Sequence, residues 1–184
     1  MRWKDLDGNN VITEADQDWI YNPTPDFSYG LNVYLEYKNF DFTMFWQGVQ
    51  GVDVISDLKK QTDIWAGLNI GFLNKGQRLL DAWSSTNPNS NIPALSLSDN
   101  NNEKRVSTYW VENGSYLKLR TIQLGYNLPK SMTNRLAMQR LRFYLSAQNL
   151  LTIHSKSFTG VDPENPNYGY PIPLNITFGI NVTF

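Results

Sequence analysis

The 184-residue sequence contains no cysteine and only one histidine. These absences remove disulfides, thiolate nucleophiles, cysteine-ligated metals and any zinc or serine–histidine arrangement that needs a second partner. His154, in a stretch of Ser and Lys that reads as loop, has nothing of its kind to work with. Charge of one sign is lacking too. Sixteen Lys and Arg stand against 17 Asp and Glu, a net charge of −1, so the balance offers no argument for a nucleic-acid partner. No run approaches the roughly 18 apolar residues of a helical membrane span. Carboxylate pairs such as Asp162 and Glu164 occur, but no pattern around them builds a cleft for acid–base or glycosidic chemistry, and the chain does not read as an enzyme. Aromatics are plentiful: six Trp, ten Tyr and nine Phe make 14% of the chain. Mean hydropathy is nevertheless only −0.44. A transmembrane β-barrel reconciles the two, because alternate strand residues and all long loops face water.

Alternation of period two locates the strands. From Leu174 to Phe184 the apolar residues Leu174, Ile176, Phe178, Ile180, Val182 and Phe184 are separated by Asn175, Thr177, Gly179, Asn181 and Thr183. Eleven residues at about 3.3 Å each, tilted by about 45°, rise roughly 25 Å, the height of a barrel's apolar band. The same pattern predicts strands over about 26–37, 40–51, 116–128 and 139–150, giving about five antiparallel strands and an all-β chain. Leu117 and Leu119 sit in the opposite phase to Ile122 and Leu124, so a bulge near Arg120 is expected. On this alternation Arg120, Arg142, Tyr144 and Gln148 are candidates for a water-facing barrel wall.

The connections alternate as well. Lys38-Asn39 is a short turn and 52–114 a long segment; the link at Pro129 is short, and 151–173, rich in Pro, Asn, Gly and Tyr, is long. Short turns on one side and long loops on the other are the rhythm of an outer-membrane barrel, with the C-terminus on the periplasmic side and the long loops extracellular. Sixty residues of loop would burden a compact soluble domain. The competing reading is a soluble up-and-down β-sheet that binds glycans through loop aromatics.

Several stretches, in order, resemble the SusC/RagA family of TonB-dependent outer-membrane transporters. Trp3 to Thr13 (WKDLDGNNVIT) is similar to the family's acidic "KDLNGDGxI" loop, and Asn22 to Gly30 (NPTPDFSYG) to its "PxPxFxYG" strand entry. Phe45-Trp46-Gln47-Gly48, Glu112 to Arg120 (ENGSYLKLR), Leu124 to Pro129 (LGYNLP), Gln148 to Thr152 (QNLLT), Gly160 to Glu164 (GVDPE) and the terminal GINVTF follow in the family's order. The resemblance covers nearly the whole chain and implies the C-terminal segment of a roughly 22-stranded transmembrane β-barrel. It further implies import of oligosaccharides or peptides, a SusD-like surface lipoprotein as partner, energy from the TonB complex, and an outer-membrane lipid environment. The plug domain of such a transporter is absent from these residues. With no signal-like apolar region after Met1, the remaining part is expected to lie upstream.

Two sets of residues are candidate sites. Asp5, Asp7, Asn9, Val11, Thr13 and Asp16 occupy positions 1, 3, 5, 7, 9 and 12 of an EF-hand-like loop, with oxygen ligands spaced to wrap calcium. Asn10 replaces the usual Gly at position 6, and Asp16 the usual Glu at position 12; an Asx-rich turn satisfied by its own backbone is the alternative. Trp65, Trp83, Trp110, Tyr168 and Tyr170 are loop aromatics able to stack on a sugar or pack against a lid protein, or else to fill a loop core.

Overall fold

The computed structural model describes residues 3–63, 75–96, 102, 105–167 and 169–184. Strand β1 (Phe27–Tyr37) turns back through Lys38 and Asn39 into β2 (Phe40–Gln50). Then come β3 (Asp53–Ile55), the short helix α1 (Asp57–Thr62), β4 (Val111–Asn113), β5 (Tyr116–Asn127), a helical turn α2 (Lys130–Thr133), β6 (Arg140–His154) and β7 (Asn175–Thr183). A five-stranded sheet runs in the order β1-β2-β5-β6-β7, every pair antiparallel, while β3 and β4 form a separate ribbon beside the long loops.

Registered partners show why the alternation matters. Leu35, Phe42, Leu124, Leu145 and Phe178 form one row across all five strands. Val33, Met44, Ile122, Ala147 and Ile176 form a second row. Tyr37, Phe40, Tyr126, Phe143 and Ile180 form a third, nearest the short turns. One face of the sheet is therefore continuously apolar, and no described residue covers it: Leu35, Leu145, Ile176 and Phe178 are more than half exposed. An apolar face of this extent needs an apolar medium outside the chain. The opposite face carries Tyr34, Thr43, Gln123, Ser146 and Thr177 in register.

The phase change in β5 is resolved by a bulge at Arg120. The β2–β5 register shifts between Phe45 and Trp46, and the β5–β6 register between Leu119 and Thr121. Opposite it, Asn149 adopts a left-handed conformation (φ 56°), which Asn tolerates better than most residues. Above the bulge Leu119 pairs with Trp46 and Leu151, and Leu117 with Gly48 and Ile153, so the apolar face continues past the irregularity. Without the extra residue, Lys118 would share the apolar face with Ile122 and Leu124. β6 runs beyond the strand expected over 139–150, and His154 ends it, paired with Tyr116, rather than lying in a loop. The extra length follows from the bulge, which interrupts alternation at Asn149 and Leu150 without interrupting pairing. Within the long 52–114 segment, Gln77–Asp81 forms a 3-10 turn.

The buried apolar core among the described residues is small and, apart from Leu141 near the short turns, sits toward the long-loop end. Trp110, 1% exposed, packs against Ile55 and Tyr109. Phe158 and Leu79 are also buried, in the long loops.

Candidate functional site

The long loops are held together by buried ion pairs, which fix the surface they present. Glu112, almost fully buried at the centre of β4, receives the Lys59 ammonium at 2.8 Å. It also accepts the Thr159 amide at 2.9 Å and the Thr159 hydroxyl at 2.7 Å. This joins the 52–114 segment to the 155–173 loop, and Ser56 adds a hydroxyl contact to Thr159 at 3.2 Å. Alongside, Asp63 accepts from Arg78 Nε at 2.7 Å and from the Tyr109 hydroxyl at 2.6 Å. Burial first, and then that bond to a carboxylate, push the Tyr109 phenol far above its ordinary value, so it stays a neutral donor.

A second cluster ties the same loop to the sheet. Lys118 Nζ donates to Asp162 Oδ1 at 2.6 Å, Asp162 Oδ2 at 2.8 Å and Glu164 Oε2 at 2.9 Å. Arg120 pairs with Glu164 as well and donates to Gln47 Oε1 at 2.8 Å. The carboxylates of Asp162 and Glu164 are thus neutralised by cations and serve structure. On the polar face nearer the short turns, Arg142 forms a bidentate pair with Asp41, whose Oδ1 also accepts from Asn127 Nδ2 at 3.1 Å. Tyr144 lies on the same strand with the Arg142 guanidinium 5.3 Å from its ring centroid, and Gln148 registers with Thr121.

Above this platform opens a cleft of about 1170 Å³. Its walls come from three separated stretches: Trp3, Leu6, Ile12 and Trp19 from the N-terminal segment, Trp83 to Ala94, and Arg105 to Tyr109. Trp19 is 93% exposed and Trp83 48% exposed, leaving ring faces open to solvent. The Arg105 guanidinium lies 6.0 Å from the Trp3 ring centroid. Flat aromatic surfaces beside charged groups (Lys4, Asp18 and Arg105) suit a ligand with apolar faces and polar edges. Sequence reasoning singled out Trp83 but missed Trp3 and Trp19, because only the fold brings the three segments together. Trp110 lies behind the cleft with its indole N–H bonded to Arg105 O at 3.0 Å, so its ring meets protein. Tyr170, 98% exposed, stands on the other long loop. Trp65 and Tyr168 lie outside the described residues.

The acidic loop forms part of the same cleft wall through Ile12, Thr13 and Asp16. Asp5, Asp7 and Asp16 each bring a carboxylate oxygen within 4.8 Å of the others. Asn10 is left-handed (φ 60°), as the sixth position of a cation-binding loop requires, and Gly8 is too (φ 76°). Backbone amides already occupy much of the carboxylate capacity. Asp5 accepts from Gly8 and Asn10, and Asp16 from Leu6 and Thr13, all at 2.7 Å. The amides of Thr13 and Leu6 hold the Asp16 carboxyl below its ordinary value. Asn9 takes an amide of its own from Val11 at 2.7 Å, and Thr13 Oγ1 caps the 3-10 turn at Ala15.

No family model matches the chain. The "TonB-dependent receptor P3" of Formosa agariphila is 36% identical over 98% of this chain and 18% of its own length. A second receptor of that organism, P26, is 31% identical over 100% of this chain and 19% of its own. The "TonB-dependent receptor SusC" of Bacteroides thetaiotaomicron is 30% identical over 98% of this chain and 17% of its own. Among solved structures, the RagAB peptide transporter superimposes with a TM-score of 0.77 at 28% identity, covering 95% of this chain and 19% of that one. Its "closed-closed" state gives 0.76 at 29% identity over 98% of this chain and 20% of that one. The chain thus spans about a fifth of the length of the relatives it matches. Sequence and superposition agree with the exposed apolar face of the sheet: the chain belongs to the SusC/RagA-type TonB-dependent receptors and forms a C-terminal part of their transmembrane β-barrel.

Proposed function

We propose that this chain is the closing wall of an outer-membrane importer that takes up peptides or oligosaccharides with TonB-derived energy and a SusD-like lipoprotein at the surface. The observation that carries the reading is the uncovered apolar face running across all five strands, with short turns at one end and long ion-paired loops at the other. In this reading the apolar face meets outer-membrane lipid, the polar face lines the lumen, the long loops are extracellular and the C-terminus is periplasmic. The role is transport and not catalysis. That the matched solved relatives are peptide importers favours peptides among the two substrate classes.

Orientation is open to direct measurement, since this chain has no native cysteine. In whole cells carrying the full-length receptor, a membrane-impermeant maleimide should label Tyr170→Cys and leave Lys38→Cys unlabelled until the outer membrane is opened. Labelling of both positions on a protein recovered without detergent would replace the importer by the soluble glycan-binding module.

The cleft is the proposed ligand contact of this segment, with Trp83 as its stacking candidate, and Tyr170 is a separate candidate on the other long loop. Trp65 and Tyr168 are proposed as further contacts on the same loops, whereas Trp110 is buried against Ile55 and Tyr109 and is withdrawn as a contact. Trp83→Ala should weaken binding of a captured peptide or oligosaccharide by roughly tenfold, the worth of one good aromatic contact. Isothermal titration on the receptor with its lid lipoprotein reads this out, and an unchanged Kd would remove the cleft from the substrate path.

The loop of Asp5, Asp7, Asn9, Val11, Thr13 and Asp16 is the proposed calcium site, with the Val11 carbonyl as backbone ligand. Calorimetry on the intact receptor should show binding heat with millimolar calcium and its loss in Asp5→Ala. Absence of heat in the wild type would leave the loop a self-bonded Asx turn.

A further inference from the structure

The short-turn end of the sheet has a charge pattern that the transport reading does not use. Residues 37–40 and 128–139, which make the two short connections, contain no Asp or Glu. They carry Lys38, Lys130 and Arg135, all exposed. Neither Lys130 nor Arg135 enters an ion pair among the described residues. The nearby acid Asp41 is engaged by Arg142 on the polar face, and Glu36 accepts the Tyr34 hydroxyl. The opposite end is acidic: residues 3–26 hold Asp5, Asp7, Glu14, Asp16, Asp18 and Asp26 against Lys4. A chain of nearly zero net charge is thus strongly polarised along its strands.

One of these cations, Lys38, stands directly beside the apolar face. The Lys38 ammonium lies 5.2 Å from the Tyr37 ring centroid, and Tyr37 opens the aromatic row that continues through Phe40 and Tyr126. In the second connection, α2 and the 3-10 turn after it expose Met132 and Leu136, four residues apart, each close in sequence to one of the cations Lys130 and Arg135. Unpaired cations, half-exposed apolar side chains and an aromatic row bordering a lipid-facing wall match the chemistry of a phospholipid interface. The ring and methylene groups reach the acyl boundary and the cations meet the phosphates.

We propose that this rim docks on the phosphodiester headgroups of anionic phospholipids in the leaflet at the short-turn end. The proposal rests on the membrane reading above, with the short turns at the inner surface of the outer membrane. Each cation near an anionic surface strengthens attachment by roughly fivefold at low salt, and the effect fades within about a Debye length of 10 Å.

The test reconstitutes the full-length receptor into nanodiscs of phosphatidylcholine with or without phosphatidylglycerol and counts co-purified lipids by native mass spectrometry. The wild type should retain phosphatidylglycerol over phosphatidylcholine at least tenfold in low salt, with the preference collapsing in raised salt. The variant Lys38→Gln/Lys130→Gln/Arg135→Gln should lose the preference, and the charge-keeping variant Lys130→Arg/Arg135→Lys should keep it. Heat-modified gel mobility establishes that each barrel is folded; if the triple variant fails there, the exposed single changes Lys130→Gln and Arg135→Gln carry the comparison. Equal retention of both lipids by a reconstituted wild type, or an undiminished preference in the folded neutralised variants, overturns the lipid proposal alone. Failure of the receptor to enter a bilayer at all overturns the membrane reading and this proposal with it.

Discussion

Lys118→Met should release the 155–173 loop from the barrel wall. The Lys118 side chain is 3% exposed and is the shared cation of Asp162 and Glu164. Removing it leaves the Asp162 carboxylate buried beside an apolar side chain with no counter-charge. Breaking a buried pair in this one-sided way costs about 3–5 kcal/mol, more than any packing gain from the isosteric methionine. Hydrogen exchange on the full-length receptor should show protection in the 155–165 region falling by about a hundredfold or more, with the strands themselves changed little. The double variant Lys118→Met/Asp162→Asn should recover part of that loss, because the stranded charge is gone and Glu164 keeps Arg120. A double variant worse than the single would mean that the pair contributes through geometry and not through charge balance. Acid offers an independent check. Burial pushes the Glu164 carboxyl upward, but its hydrogen bonds from Arg120 and Lys118 outweigh that and hold it below the ordinary carboxylate value. Its stabilising contribution is therefore complete above the ordinary range and is lost as pH falls through the lower folded value. Protection factors in the loop, taken relative to the intrinsic exchange rate at each pH, should stay level from neutral pH down to about pH 5 and fall only in stronger acid.

Lys118 also shows where sequence alone was sufficient and where it was not. The strands were legible because two-residue alternation in Phe27–Tyr37 or Asn175–Thr183 has no other economical reading. The bulge was legible from the clash of phase between Leu119 and Ile122. The far end of β6 was not, since Asn149 and Leu150 break the alternation exactly as a strand end does while the ladder to His154 continues. Loop roles were the least accessible. Trp110 and Trp83 have the same local character, yet one is buried against Ile55 and the other lines an open cleft. The partners of Lys118 and Glu112 lie 44 and 47 residues away, a separation at which no local pattern records the pairing. The acidic N-terminal loop was legible only as two alternatives, a cation-binding loop or a self-bonded Asx turn; Asp5, Asp7 and Asp16 do come within 4.8 Å of one another, and backbone amides already bond Asp5 and Asp16.

Gly125→Val should prevent the barrel wall from closing around the ion pair on its polar face. Gly125 stands in register between Asp41 of β2 and Tyr144 of β6, and the Asp41–Arg142 pair lies directly over it. A Cβ at this position would fall 2.5 Å from both Asp41 carboxylate oxygens and closer still to Arg142 Nη2. Those atoms are anchored: Asp41 is 7% exposed and also holds Asn127, while Arg142 is committed to the bidentate pair. A branched side chain must therefore either evict the pair or bend the strand. Overpacking costs about 1–3 kcal/mol, and stranding a buried carboxylate costs about 3–5 kcal/mol more. Such a loss in the centre of a wall, with strands on both sides, should appear as failure of the receptor to reach its heat-resistant compact form on a gel, with degradation in cells. Gly125→Ala sits at the same point with less bulk and should be damaging but partly rescued by Asp41→Asn, which removes the charge whose isolation is costly. A fully folded Gly125→Val receptor would show that the pair can be rearranged without loss, and that the glycine serves no purpose in making room for it.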